Sequence, residues 1–353
     1  MKELNYKLET IYFYYTSCNF KCRHCWIDPE FMKDSGEIPL SVIKRAIKEA
    51  KKIGLKGIKL TGGEPFLMKN ILELLYWLKN EELSIIIETN GSLIEKEVAK
   101  VIKETEVSQV SVSLDSTDSQ VHDYIRGIPG AFEQTIRGIN YLQEYGVRTQ
   151  IITSLISKNS EELPDIVNFA SKLGADSLKI NPVIPMGRGE NMQKRGELLD
   201  VEKILEVYKK LKESFNNNFP LKVHFDIPPV FKSLNDLTDD FGTCKIHNIL
   251  GILSNGMVSI CGIGKNITQL VMGNIEKDSI IDIWENSKIL KELRETIPHK
   301  ILGVCSKCMF KNYCNGKCAA ETYYLTGTFN APFRFCDEAY KKGLFPKTRL
   351  VEK

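Results

Sequence analysis

The chain has 353 residues, enough for one large domain and an appendage, and its 42% hydrophobic content supports a sizeable core and excludes a disordered chain. With 48 basic and 45 acidic residues the formal net charge is only +3, so charge gives no case for nucleic acid or a membrane surface as partner. No run approaches the roughly 20 apolar residues of a membrane helix, and residues 1–10 are mixed polar, without a signal-peptide core. A cytoplasmic location is expected, where disulfides are disfavoured and clustered cysteines more often bind metal.

In chain order, six β-rich runs alternate with helical patterns. The predicted strands are 10–15, 57–61, 84–89, 109–115, 148–155 and 177–183. Helical patterns fall at 40–53, 69–80, 93–103, 130–145 and 160–173. Lys-rich stretches such as "IKRAIKEAKKIGLKGIK" read as the solvated faces of amphipathic helices. The strand runs read as nearly continuous in apolar residues, as expected of strands covered on both faces. Six β/α units imply a parallel sheet with right-handed crossovers, either an open barrel or a doubly wound sheet. Cys18, Gly62 to Glu64 and Asn90 fall just after strands, the end that carries chemistry in (β/α) barrels. A polar loop (184–198) and a helix (199–215) follow. The pattern then changes near 235. "NILGILSNGMVSICG" reads as a β-hairpin around an Asn-Gly turn, "SIIDIWENSKILKELRE" as a helix, and 300–345 as loop-rich.

The ten cysteines form two groups. Cys18, Cys22 and Cys25 are separated by three and two residues. The remaining seven, Cys244, Cys261, Cys305, Cys308, Cys314, Cys318 and Cys336, begin more than 200 residues later. Structural zinc takes four closed ligands, and His24 inside the two-residue spacer is sterically awkward as the fourth. An iron–sulfur cluster on three cysteines instead leaves one iron open for chemistry.

The triplet, with His24 at the position before its last cysteine, closely resembles the signature of the radical S-adenosylmethionine (SAM) enzymes. "LTGGEPFL" (60–67), after the second strand, resembles the family's Gly-Gly-Glu motif, whose backbone and carboxylate hold the SAM ammonium. Glycines let backbone approach a ligand closely. The resemblance implies a partial (β/α)6 TIM-like barrel over residues 8–235. It also implies a catalytic [4Fe–4S] cluster on Cys18, Cys22 and Cys25, and reductive cleavage of SAM to a 5′-deoxyadenosyl radical. His24, Gly62, Gly63, Glu64, Asn90, Ser113, Asp115 and Arg126 are the implied SAM contacts, Arg126 through the SAM carboxylate.

The later spacing, Cys-x2-Cys-x5-Cys-x3-Cys, then seventeen residues to Cys336, resembles the SPASM extension. That implies a small loop-rich Fe–S domain containing the hairpin, residues 236–345, with two auxiliary [4Fe–4S] clusters and hence three in all. By the same resemblance Cys305, Cys308, Cys314 and Cys336 hold an outer cluster. Cys244, Cys261 and Cys318 hold an inner one whose fourth iron is left for another ligand or the substrate.

SPASM enzymes mostly modify peptides or proteins, so a peptide or protein substrate is the leading expectation, with a low-potential donor such as ferredoxin or flavodoxin. The alternative is a tetrapyrrole of the haem-forming branch, whose carboxylates call for arginines such as Arg188, Arg195 or Arg334. Sulfatase maturation ranks low, because Gly262 follows Cys261 where those enzymes place an aspartate. A non-enzymatic electron carrier would have no use for Gly62 to Glu64. His122 and His247 read as structural.

Overall fold

The structure, a computed structural model, describes residues 6–31, 38–237 and 243–351. One ten-stranded sheet organises it. In chain order the strands are β1 (Thr10–Tyr15), β2 (Gly57–Gly62), β3 (Ser84–Thr89), β4 (Gln109–Ser113), β5 (Thr149–Leu155), β6 (Ser177–Pro182), β7 (Lys222–Phe225), β8 (Ile249–Leu253), β9 (Met257–Ser259) and β10 (Val271–Asn274). Their spatial order is β10-β9-β8-β1-β2-β3-β4-β5-β6-β7. From β8 through β1 to β7 every neighbour is parallel, and only the β8-β9-β10 meander is antiparallel.

The α/β class and the six expected β/α units are present, with a seventh parallel strand at Lys222–Phe225. The expected helices appear as Leu40–Lys52, Ile71–Asn80, Lys96–Glu104, Ala131–Glu144 and Leu163–Lys172. An extra helix, Ser119–Arg126, begins at Asp118, whose carboxylate accepts the Gln120 and Val121 N–H groups. The expected hairpin is β8-β9, but β8 also pairs with β1 over Thr10↔Ile249 to Tyr14↔Leu253. The sheet thus runs across the boundary expected near 235. The single helix expected in "SIIDIWENSKILKELRE" is two, Ile280–Asn286 and Lys288–Thr296, because Ser287 caps the second by accepting the Leu290 N–H.

One sequence expectation is corrected. The strands are not apolar on both faces. The register aligns a mainly polar face of Lys59, Thr61, Glu88, Ser111, Ser113, Gln150, Ser154, Ser177, Lys179 and Asn181, with Ile86 and Ile152 among them. The intervening residues (Ile58, Leu60, Ile85, Ile87, Val110, Val112, Ile151, Leu178, Ile180) are buried against the helices. Each such burial stabilises by roughly 1.5–3 kcal/mol, so the core lies between helices and one sheet face. The other face is a chain of polar contacts: Thr61 to Glu88 (2.7 Å), Ser111 to Gln150 (3.2 Å) and Gln150 to Ser177 (3.0 Å). Four strand spacings of ~4.8 Å would put β2 and β6 about 19 Å apart in a flat sheet. Yet Lys59 of β2 and Lys179 of β6 both act on Glu88 and on Cys244. The sheet is therefore curled, and its polar face is the concave one.

Candidate functional site

The site is built where β1 ends. The chain passes from β1 through Tyr15 to Cys18, and the tip of β2 is stitched to it. Gly63 N–H donates to Tyr15 O (2.6 Å) and Glu64 N–H to Ser17 O (2.9 Å). Glycine is required at both preceding positions. Gly62 has φ +105°, and a Cβ there would lie 2.6 Å from Tyr15 backbone; one on Gly63 would lie 1.9 Å from Ser17 O. The two glycines bring the motif against the start of the cysteine loop.

Glu64 is fully buried. Its carboxylate accepts the Thr89 hydroxyl (2.8 Å), the Asn90 N–H (2.9 Å) and the Phe66 N–H (3.2 Å). Burial pushes its pKa up to about 7 against those three donors. It braces the tips of β2 and β3, and one of its roughly four acceptor positions remains. Asn90 is also satisfied locally. Its amide donates to Asn19 (2.8 Å), and its side-chain oxygen accepts from Ser92 (2.6 and 2.9 Å).

Asp115 and Arg126 meet each other. The guanidinium contacts the carboxylate at 2.6 and 2.8 Å, with both side chains almost wholly buried. Asp115 also accepts the Ser154 N–H (2.8 Å). Burial raises Asp115 although Arg126 opposes it. Arg126 reaches on to Cys22, Nη1 lying 3.7 Å from Sγ. The expected SAM-carboxylate arginine is thus committed to Asp115 and the second cysteine of the triplet. His122 is structural: its Nδ1 accepts the Asp115 N–H (3.2 Å), and burial lowers its pKa to about 3. His247 stacks on Tyr6 at 4.9 Å. His24 lies 3.0 Å from the Ser154 hydroxyl, joining the cysteine loop to the concave face, and burial lowers its pKa. Ser113 ends β4, half-buried on the same face.

All ten cysteines are free thiols. Cys18, Cys22 and Cys25 act on one another electrostatically, and burial raises all three, Cys25 to about 11. Cys244, Cys261 and Cys318 form a second mutual set, with Cys261 raised to about 12 by burial. Cys305, Cys308, Cys314 and Cys336 line one cavity with Pro228 and Phe345. Among the described residues no three His, Cys, Asp or Glu side chains converge on a single ion position. Three sets of buried and half-buried thiols, raised mainly by burial, fit iron–sulfur clusters, whose irons would stabilise the thiolates that lost hydration disfavours.

The three arginines that the tetrapyrrole alternative called for are all engaged. Arg188 clamps the cysteine loop through Asp28 (2.5 Å), Cys22 O (3.3 Å) and Pro29 O (2.9 Å). Arg195 pairs with Glu197, and Arg334 with Glu321 and Glu338. Sequence reasoning missed a bridge between two cysteine sets. Tyr14 packs edge-on against Trp26 (6.1 Å), Asn266 donates to Trp26 O (2.7 Å), and a Cβ at Gly262 would meet Tyr14 at 2.6 Å and Trp26 at 3.0 Å. The side chain absent at 262 is replaced by these two rings. It also missed the lysines of the concave face, which strict alternation in "GIKLT" and "SLKIN" marks.

Comparison with known proteins agrees with this geometry. Residues 12–170 match the Radical SAM superfamily, and residues 244–309 match SPASM, an iron–sulfur cluster-binding domain. The chain is 29% identical over 332 residues to the AdoMet-dependent heme synthase of Methanosarcina barkeri, covering 90% of this chain and 93% of that one. It is 25% identical to the mycofactocin maturase MftC of Mycobacterium tuberculosis, covering 94% of this chain and 83% of that one. Its fold superposes on Streptococcus suis SuiB bound to the precursor peptide SuiA with a TM-score of 0.75 at 17% identity, covering 94% and 76% of the two chains. The chain belongs to the radical SAM superfamily and joins a radical SAM domain to a SPASM domain.

Proposed function

We propose that this radical SAM enzyme acts on a tetrapyrrole held on the concave face, between the Cys18–Cys25 loop and Cys244. The observation that carries the reading is that polar face, tied to one cysteine set through Ser154 and His24 and to the other through Lys59, Lys179 and Cys244. The named relative at 29% identity, aligned over most of both chains, favours a tetrapyrrole. In this reading Cys18, Cys22 and Cys25 hold the catalytic [4Fe–4S] cluster. Cys305, Cys308, Cys314 and Cys336 hold one auxiliary cluster, and Cys244, Cys261 and Cys318 the other, making three.

Held by Cys18, Cys22 and Cys25, a reduced cluster with bound SAM would supply radical hydrogen abstraction from the substrate. The chain's own residues position and shield. The Gly62–Gly63 backbone would allow close approach of the SAM methionine, and the remaining Glu64 acceptor would be available to its ammonium. Asn90 and Ser113 border the same strand ends, while Arg126, fixed by Asp115, favours the Cys22 thiolate and His24 ties the loop to the substrate face. We place the protein in the cytoplasm beside a low-potential donor such as ferredoxin or flavodoxin. Among the described residues no helix is long and apolar enough to cross a membrane.

The test is anaerobic incubation of the reconstituted protein with SAM, dithionite and iron coproporphyrin III, read by mass spectrometry. The reading expects a changed porphyrin mass together with 5′-deoxyadenosine. An unchanged porphyrin beside active SAM cleavage would favour the second reading, a peptide substrate, which the MftC relative supports.

A further inference from the structure

The concave face carries more positive charge than it can neutralise. Lys59 is matched by Glu88 at 2.5 Å. Beside that pair, Lys317 contacts Asp226 at 2.5 Å, and the same carboxylate is acted on by Lys179 and Lys232. Lys179 also acts on Glu88 and Asp236 also acts on Lys232, but those two carboxylates are already paired with Lys59 and Lys212, so five ammonium groups stand against three carboxylates, an excess of two charges. Burial alone would raise Asp226, yet its three lysines, Lys317 foremost, hold it down to about 2.

Lys179 and Lys232 are the surplus. Among the described residues neither ammonium group has an ion-pair or hydrogen-bond partner, although Lys232 is only 7% exposed and Lys179 is half-buried in β6. An ammonium held off water without a partner is costly. Burial, with Lys317, lowers Lys232 to about 8, as that cost requires. A merely structural lysine at 232 would pair with a neighbour or reach solvent. Lys179 instead acts on Cys244, and Lys232 stands beside Lys317, Asp226 and Lys179.

We propose that Lys179 and Lys232 form a receptor for two substrate carboxylates, completed by Lys317 and Asp226, and that it fixes the substrate over the concave face. The inference rests on the tetrapyrrole reading only for the identity of the ligand. The carboxylate chemistry follows from the lysines themselves, because point charges on flexible stems accept carboxylates without the fork geometry of arginine. It also accounts for a concave face on which Arg188, Arg195 and Arg334 are all engaged elsewhere.

The experiment uses reconstituted full-length protein and the variants Lys179→Met and Lys232→Met, with the exposed-helix variant Lys209→Met as control. Metal-free coproporphyrin III is titrated by fluorescence anisotropy, alongside its tetramethyl ester. In a second arm, succinate is added during thermal unfolding. The expected result is binding of the acid but not the ester, weakened about tenfold or more in each concave-face variant and unchanged in Lys209→Met. Wild-type binding that both variants retain overturns the receptor and leaves the tetrapyrrole reading standing. No porphyrin binding, with succinate stabilising wild type but neither variant, keeps the receptor and removes the tetrapyrrole. No response to either probe overturns both. Unchanged porphyrin binding with lost iron or an altered cluster spectrum would assign the lysines to the inner cluster and overturn the receptor.

Discussion

Asp115→Asn isolates the electrostatic centre of the site. Asparagine keeps the shape and an acceptor for the Ser154 N–H, but it leaves the Arg126 guanidinium buried without its counter-charge. The side chains are 6% and 0% exposed, so solvent screens the pair little. At an effective dielectric of about 20, unit charges about 4 Å apart attract by ~4 kcal/mol. Removing one partner of a buried pair costs about 3–5 kcal/mol. The assay is urea unfolding of the reduced apo-protein at pH 7.5, followed by fluorescence of its three tryptophans. Asp115→Asn and Arg126→Gln should each lose about 3–5 kcal/mol, and the double variant should lose clearly less than their sum because the two act on one interaction. A loss below about 1 kcal/mol in Asp115→Asn, or strict additivity, would refute the reasoning.

Glu64 sets a pH dependence. Its pKa is about 7 folded against 4.5 for a free side chain. Between those values the folded state keeps a proton the unfolded state has released, so this contribution is full below about 4.5 and lost as pH rises through 7. The interval corresponds to roughly 3 kcal/mol, and Glu64→Gln should flatten that part of the stability profile; an unaltered slope would contradict the assignment. Gly262→Ala forces a methyl against Tyr14 and Trp26, so it should cost about 1–3 kcal/mol by overpacking. A neutral effect on the denaturant midpoint would show that the two rings have room.

The alternating β/α order and the two cysteine groups were legible because each depends on local chain chemistry: apolar runs bounded by turns, and thiols at fixed spacing. The polar ladder was misread. Lys59, Thr61, Lys179 and Asn181 interrupt apolar strands at every second residue, and only strand register shows that they share one face. The Asp115–Arg126 pair joins positions eleven apart, through a helix whose Asp118 cap was not read as a start signal. Pairing of β8 with β1 joins residues more than 200 apart, a separation at which no local pattern records partners. Lys232 caps the short 3-10 helix Pro229–Phe231, and the isolation of its ammonium from partners exists only in three dimensions.

The central claim is tested most directly by anaerobic reconstitution with iron and sulfide, iron counting, and addition of dithionite and SAM. The account predicts about 12 iron atoms per chain, three clusters of four, together with 5′-deoxyadenosine, and loss of that product in Cys22→Ala with about 8 iron atoms retained. Bound zinc in place of iron, or a full iron complement without 5′-deoxyadenosine, would contradict it.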